Sequence, residues 1–247
     1  MSSYFPSVIQ LIASPNLEIK KLVYIYLLRY AESNPDLALM SINTIQKSLS
    51  DKNQIVRGMA LRVMSGIKVP LISGIVILGI RRCVTDLSYF VRKTAAVAII
   101  KCYAYAARDV QLMLCSLDMR LKEDLIELLQ VLLADKVPSV LACALSAWEH
   151  MCPERTDLLH RSYRPICRML IEMDEWGQLV AMRVLSIYVR RCFNKPEDPD
   201  STNNNVHQFY DDSTTDLASL DPDLQLLYKC ALLLTHSRSS AVQSLGF

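Results

Sequence analysis

Asp51-Lys52-Asn53-Gln54-Ile55-Val56-Arg57-Gly58-Met59-Ala60 and Asp86-Leu87-Ser88-Tyr89-Phe90-Val91-Arg92-Lys93-Thr94-Ala95 carry one pattern twice. An acid opens each stretch, a valine follows five residues later, an arginine comes next, and an alanine stands four beyond the valine. Asp135 to Val140 repeats the opening, with Ala144 in the alanine place. Ser14 to Ile19 and Ser237 to Val242 share the same spacing, and Asp174 to Val180 shares it with one residue inserted. The six openings lie 37, 35, 49, 39 and 63 residues apart. A recurrence of 20 to 50 residues is the mark of stacked repeats.

Valine and alanine four apart fall on one face of a helix, where small side chains let a neighbouring helix approach closely. The acid or serine at each opening is expected to cap that helix by accepting from an orphan backbone amide. A first helix is legible before each second one: Pro35 to Leu49 behind Asn34, Val69 to Cys83 around Pro70, Leu121 to Leu133, and Leu158 to Glu172. Such pairs bury their apolar faces only by stacking, so the fold class is all-α, a HEAT/armadillo-type α-α superhelix or solenoid. The polar segment Ala106 to Arg120 accounts for the 49-residue gap.

The 63-residue gap holds Pro196, Pro199 and the run Ser201 to Asn205. From Asn194 to Asp223 there are eight acids against Lys195 alone, so a chain of net charge +2 divides into a stretch of −7 and a remainder of +9. Few residues in that stretch can build a core, and a mostly disordered acidic insertion is expected. The organisation read from the sequence is a HEAT trunk over 1–193, the insertion over 194–221, and the start of the next HEAT unit over 222–247. A basic body with an acidic segment suits attraction to anionic surfaces, with the segment able to fold back and compete; solvated charge is the plainer reading.

Composition and spacing exclude several classes. Hydrophobic residues make up 51% and charged residues 21%, which is the balance of a folded chain, while six glycines are too few for phosphate loops. The longest apolar run, Val69 to Ile80, is interrupted and short of the ~20 residues of a bilayer span. No secretory leader is visible before Lys20. Eight cysteines scatter through apolar segments without a C-x-x-C pair, as buried reduced thiols do. His150, Cys152, His160 and Cys167 lack zinc spacing, and neither a serine elbow nor convergent carboxylates appear. The chain is therefore expected to be no enzyme and to need no cofactor or metal.

Arg161, Arg164 and Arg168 share a helical face, and Arg81-Arg82 and Arg190-Arg191 end apolar helices. Capping and solubility explain them, or contact with phospholipid or an acidic partner; nucleic acid is not expected at a pI of 8.1 without interleaved aromatic residues. Asp51 with Arg57 and Asp86 with Arg92 share a D-x5-R spacing. These four are expected to form a structural ladder in which the aspartate of one unit pairs with the arginine of the next.

Leu17-Glu18-Ile19-Lys20-Lys21-Leu22-Val23-Tyr24, Tyr30-Ala31-Glu32, Pro35-Asp36-Leu37-Ala38, Val91-Arg92-Lys93-Thr94-Ala95-Ala96 and Glu175-Trp176-Gly177-Gln178 resemble the N-terminal trunk of the β-adaptin family. Cys152 to His160, Tyr163-Arg164, and the acidic stretch followed by Leu220-Asp221-Pro222-Asp223 and Leu226-Leu227 are most similar to the branch belonging to adaptor protein complex 3. The resemblance runs from about Phe5 to Val242, and Ser244 to Phe247 departs from it. Family trunks have further helices at the front and many more repeats, a hinge and an appendage behind, so a fragment or truncated isoform is expected.

The resemblance implies a non-enzymatic scaffold in a heterotetrameric vesicle coat, with a second large chain, a medium chain and a small chain as partners. It implies recruitment by an Arf-type small GTPase to the cytosolic face of Golgi, endosomal and coated-vesicle membranes, and sorting of cargo toward lysosomes and related organelles. The helix from Pro35 is the one whose relatives offer an apolar face to the GTPase, which makes Leu39 and Ile42 the possible contacts; burial against the next helix is the competing reading. A HEAT-repeat transport receptor or a regulatory scaffold of another complex is the alternative function.

Overall fold

The computed structural model describes residues 4–69, 72–109, 117–193, 221–237 and 239–246. Among them are thirteen α-helices and no strand. The chain divides into two compact units, Met1–Pro153 and Glu154–Phe247.

In the first unit α1 (Phe5–Gln10) and a 3-10 turn lead into α2 (Leu17–Tyr30), α3 (Pro35–Ser48), α4 (Gln54–Met64), α5 (Ser73–Val84), α6 (Tyr89–Asp109), α7 (Leu117–Leu133) and α8 (Pro138–Met151). Successive helices pair, α3 with α4, α5 with α6 and α7 with α8. The second helices then stack on one another in the order α2, α4, α6, α8, and α5 packs on α7 in the other layer. This is the all-α solenoid that the repeat requires.

The stripe of small residues explains the spacing of the spine. Val23, Ala60, Ala95 and Ala144 are buried, together with Val56, Val91 and Val140. A Cβ on Gly58 of α4 would sit 2.6 Å from Phe90 and 3.4 Å from Thr94 Oγ1 of α6, so the two helices meet where α4 has no side chain. Larger residues fill the space on either side: Leu61, Ile99, Leu145 and Trp148 are fully buried. Each such side chain contributes roughly 1.5–3 kcal/mol of burial.

The openings of the units fold differently from the expected caps. Asp51, Asp86 and Asp135 each accept, through Oδ1, the amide two residues on, from Asn53, Ser88 and Val137 at 2.9, 2.8 and 2.9 Å. Ser14 and Ser237 accept from Asn16 and Ser239 in the same way, both at 3.3 Å. The opening residue thus builds the turn before the helix. The cap is the residue two further on: Asn16 accepts from Glu18 at α2, and Asn53 from Ile55 at α4. At Val137 no side-chain cap is made, and Pro138 starts α8 without needing a partner for an amide hydrogen.

The second unit contains α9 (Asp157–His160), α10 (Tyr163–Met169), a 3-10 turn, α11 (Glu175–Cys192), α12 (Pro222–Leu234) and α13 (Ser240–Gly246). α10 packs on α12, α11 on α13 and α12 on α13, the same alternation as in the first unit. Asp174 caps α11 itself, accepting from Gly177 at 3.0 Å, and its unit is the one with an inserted residue.

Three expected helices have other bounds. The stretch Leu158 to Glu172 is broken at Arg161-Ser162, because Pro165 has no amide hydrogen for the Arg161 carbonyl and its ring would clash there. α5 begins at Ser73 rather than Val69. The connection expected over Ala106 to Arg120 is partly helix, since α6 runs to Asp109 and α7 starts at Leu117. The acidic insertion expected over 194–221 lies, apart from Asp221, outside the described residues.

Candidate functional site

The repeated aspartates and arginines meet at the edge of the first unit where α4, α6 and α8 begin. Arg57 Nε and Nη2 donate to the two carboxylate oxygens of Asp86, both at 2.8 Å. Arg57 Nη1 donates to the carbonyls of Asp51 and Lys52 at 2.9 and 3.1 Å. One guanidinium therefore closes the turn in front of its own helix and grips the turn in front of the next. Arg92 repeats this, bonding Asp135 at 2.6 and 3.3 Å and the carbonyls of Asp86 and Leu87 at 2.8 and 3.1 Å. The planar fork of arginine suits a paired carboxylate with donors left over for carbonyls, and lysine cannot reproduce it.

The pairing runs opposite to the expected direction: the arginine of one unit reaches the aspartate of the following unit. Asp135 is part of the ladder as an acceptor, which the D-x5-R spacing did not reveal because Leu141 stands six residues after it. Asp51 contributes its carbonyl to Arg57 and its carboxylate to the Asn53 amide. Side chains of the first rung are only 16% and 15% exposed. Burial by itself would raise the Asp86 carboxyl, but the Arg57 bonds, the Ser88 amide and the charges of Arg57 and Arg92 outweigh it and hold the pKa below the ordinary carboxylate value.

The possible GTPase contacts on α3 part company. Ile42 is 4% exposed and lies with Ala38, Ser41 and Ile45 on the face turned into the stack. Ile42 is therefore core and offers no surface to a partner, a consequence of helical period: 38, 42 and 45 share one side. Leu39 is half-buried, and Met40 is a large apolar residue that α3 shows to solvent, at 75% exposure. Leu78 on α5 and Val131 on α7 are exposed from the same layer of first helices.

Several groups with reactive potential are buried or hydrogen-bonded. Burial pushes the thiols of Cys83, Cys102 and Cys167 up to about 11, 12 and 12, which leaves them protonated and poorly nucleophilic at neutral pH. His150 Nδ1 lies 2.7 Å from the Ser146 carbonyl, and His160 Nδ1 lies 2.6 Å from the Tyr188 hydroxyl. Among the described residues no three His, Cys, Asp or Glu side chains gather so that they could hold a metal. No described helix is long and apolar enough to cross a membrane. The surface carries a fastening device and exposed helix faces, which suit binding.

Comparison with known proteins adds the following. The model of the family described as the adaptin N terminal region matches residues 1–245. The chain is 43% identical over 251 residues to the AP-3 complex subunit beta-1 of Homo sapiens, covering 98% of this chain and 22% of that protein. It is 44% identical over 222 residues to the AP-3 complex subunit beta of Schizosaccharomyces pombe, covering 90% of this chain and 28% of that one. The chain thus spans about a fifth to a quarter of the length of these relatives. Among structures, a homology model of the full-length AP-3 complex in an intermediate open conformation superposes with a TM-score of 0.61 at 30% identity, over 99% of this chain and 39% of that chain. An engineered protein superposes with a TM-score of 0.53 at 14% identity, over 98% of this chain and 93% of that chain, which speaks to the fold alone.

Proposed function

The chain belongs to the adaptin N-terminal family, and from that premise we propose that it is the trunk portion of a β-type large subunit in an adaptor complex of the AP-3 kind. Its work is structural: the helix stack holds surfaces in register for a second large chain, a medium chain and a small chain. The observation that carries this reading is the match over nearly the whole chain to AP-3 β subunits, at 43% identity over 98% of its length. The spine and its ladder support it, because a rigid inner layer leaves the first helices free to carry partners.

Within the same reading, residues 1–193 and 222–247 are trunk and the stretch between them is an acidic insertion. An Arf-type GTPase recruits the assembled complex to the cytosolic face of Golgi and endosomal membranes, for sorting toward lysosomes and related organelles. Met40 and Leu39 are the apolar contacts for that GTPase on α3, since Ile42 is buried. The chain itself performs no catalysis in this role.

Co-expression with the medium, small and second large chains of an AP-3 complex tests the proposal. The expected result is a stable heterotetramer that GTP-loaded Arf recruits to membranes. Recruitment should fall at least tenfold for Met40→Asp with Leu39→Asp, while helicity by circular dichroism is unchanged. Recovery of the chain alone, with none of the three partners, contradicts the scaffold role. Undiminished recruitment of the folded double variant contradicts the α3 contact.

A further inference from the structure

Lys52, Leu87 and Lys136 each stand directly after the aspartate that opens a unit, so they hold the same place in three successive turns, ahead of α4, α6 and α8. Both lysines are exposed, and Leu87 is exposed completely, at 100%. The turn that carries this leucine is not loose. Arg57 grips the Asp86 carboxylate, Arg92 Nη1 donates to the carbonyls of Asp86 and Leu87 at 2.8 and 3.1 Å, and Ser88 Oγ donates to Gln54 Oε1 of α4 at 2.6 Å. With its backbone fixed, the turn has little freedom left to lose when something binds it.

The charge that this edge offers outward is positive. The carboxylates of Asp51, Asp86 and Asp135 are spent inside the turns, on the Asn53 amide, on Arg57 and on Arg92. Against those three acids stand Lys52, Arg57, Arg82, Arg92 and Lys136, a surplus of two cations. Beside Leu87 an open cavity of about 380 Å³ separates the turn before α4 from the turn before α6, lined by Leu49, Ser50, Arg82, Thr85 and Leu87 together with the first rung of the ladder. Two leucines there suit an apolar group, and the Arg82 guanidinium suits a carboxylate.

Stacked helices lie about 8–10 Å apart, which sets the step from one turn to the next. A chain in the polyproline II form advances about 3.1 Å per residue and returns to the same face every three residues, close to 9 Å. We propose that the row Lys52, Leu87, Lys136 binds a polyproline II segment of another protein that carries an acid, an apolar residue and a second acid at intervals of three. The acids face the two lysines, and the apolar side chain packs on Leu87 at the mouth of the cavity. Complementary charge fixes the register of such a segment along the row. A peptide suits the row better than a lipid surface, because its apolar part is one side chain wide and its cations stand at fixed steps. The surface is separate from α3, and the proposal does not require the adaptor complex to assemble.

Fluorescence anisotropy of the full chain with the labelled peptide Gly-Glu-Pro-Pro-Leu-Pro-Pro-Glu-Gly, in about 50 mM salt, tests the proposal. The expected result is saturable binding that weakens at least tenfold for Lys52→Glu with Lys136→Glu and at least fivefold for Leu87→Ser, with circular dichroism unchanged. The same peptide with lysine in place of both glutamates should bind the Lys52→Glu, Lys136→Glu variant and not the wild type, a rescue that a misfolded variant would not give. No saturation up to about 1 mM peptide overturns the proposal, as does equal binding by the folded variants or by the shortened peptide Gly-Glu-Pro-Leu-Pro-Glu-Gly. Sedimentation showing Leu87-dependent dimers in the absence of peptide would give the row to a second copy of the chain instead. Leu87-dependent binding to phosphatidylserine vesicles, with none to the peptide, would give it to a membrane.

Discussion

Arg57 and Asp86 show how much a single pair of side chains does in this protein. The guanidinium meets a carboxylate and two carbonyls at once, and the carboxylate also accepts the Ser88 amide. Asp86→Asn removes the charge from a mostly buried pair, and a loss of about 1–3 kcal/mol in unfolding free energy is expected at neutral pH, read by urea titration. The sign of the pH dependence follows from the lowered carboxyl. A group depressed on folding contributes stability above its unfolded pKa, near 3.9 for aspartate, and loses it as pH falls through the folded value. The gap between wild type and Asp86→Asn should therefore narrow progressively below about pH 4; a gap that widens there contradicts the assignment. The repetition of Asp and Arg was legible in the sequence, whereas the polarity was not. D-x5-R spacing admits pairing in either direction, and only the stacked helices show that Arg57 and Arg92 reach forward.

At the scale of elements, the close approach of α4, α6 and α8 depends on small side chains at one face. Ala95 lies at 0% exposure in the middle helix of the three. Ala95→Leu inserts atoms where the stack has no room, and a cost of about 1–3 kcal/mol is expected by thermal or urea unfolding. An unchanged midpoint would mean that the stack has slack at this contact. The valine and alanine stripe was visible in the sequence because a helical period leaves a fixed spacing. Helix ends were less legible, for local reasons. The opening acids look like caps, yet two residues separate them from the first turn of α4, so they fold the turn and Asn53 caps. Pro165 splits an amphipathic stretch into α9 and α10 although the apolar pattern runs through it. On α3, periodicity identified the helix, but Ile42 and Met40 differ by two positions and hence by nearly opposite faces.

For the whole molecule the account rests on a division of labour between two layers. Second helices α2, α4, α6 and α8 pack on one another as the spine of the first unit, and the first helices α3, α5 and α7 display Met40, Leu78 and Val131 to solvent. Backbone amides of the spine should open only in larger cooperative events, while the solvent faces respond to partners. Hydrogen exchange read by mass spectrometry, on the chain alone and bound to the other adaptor chains, tests this most directly. The account predicts slow exchange in α4, α6 and α8 in both states, with new protection on assembly concentrated in α3, α5 and α7. Fast exchange throughout α4, α6 and α8 in the free chain, or new protection confined to them on assembly, would contradict it.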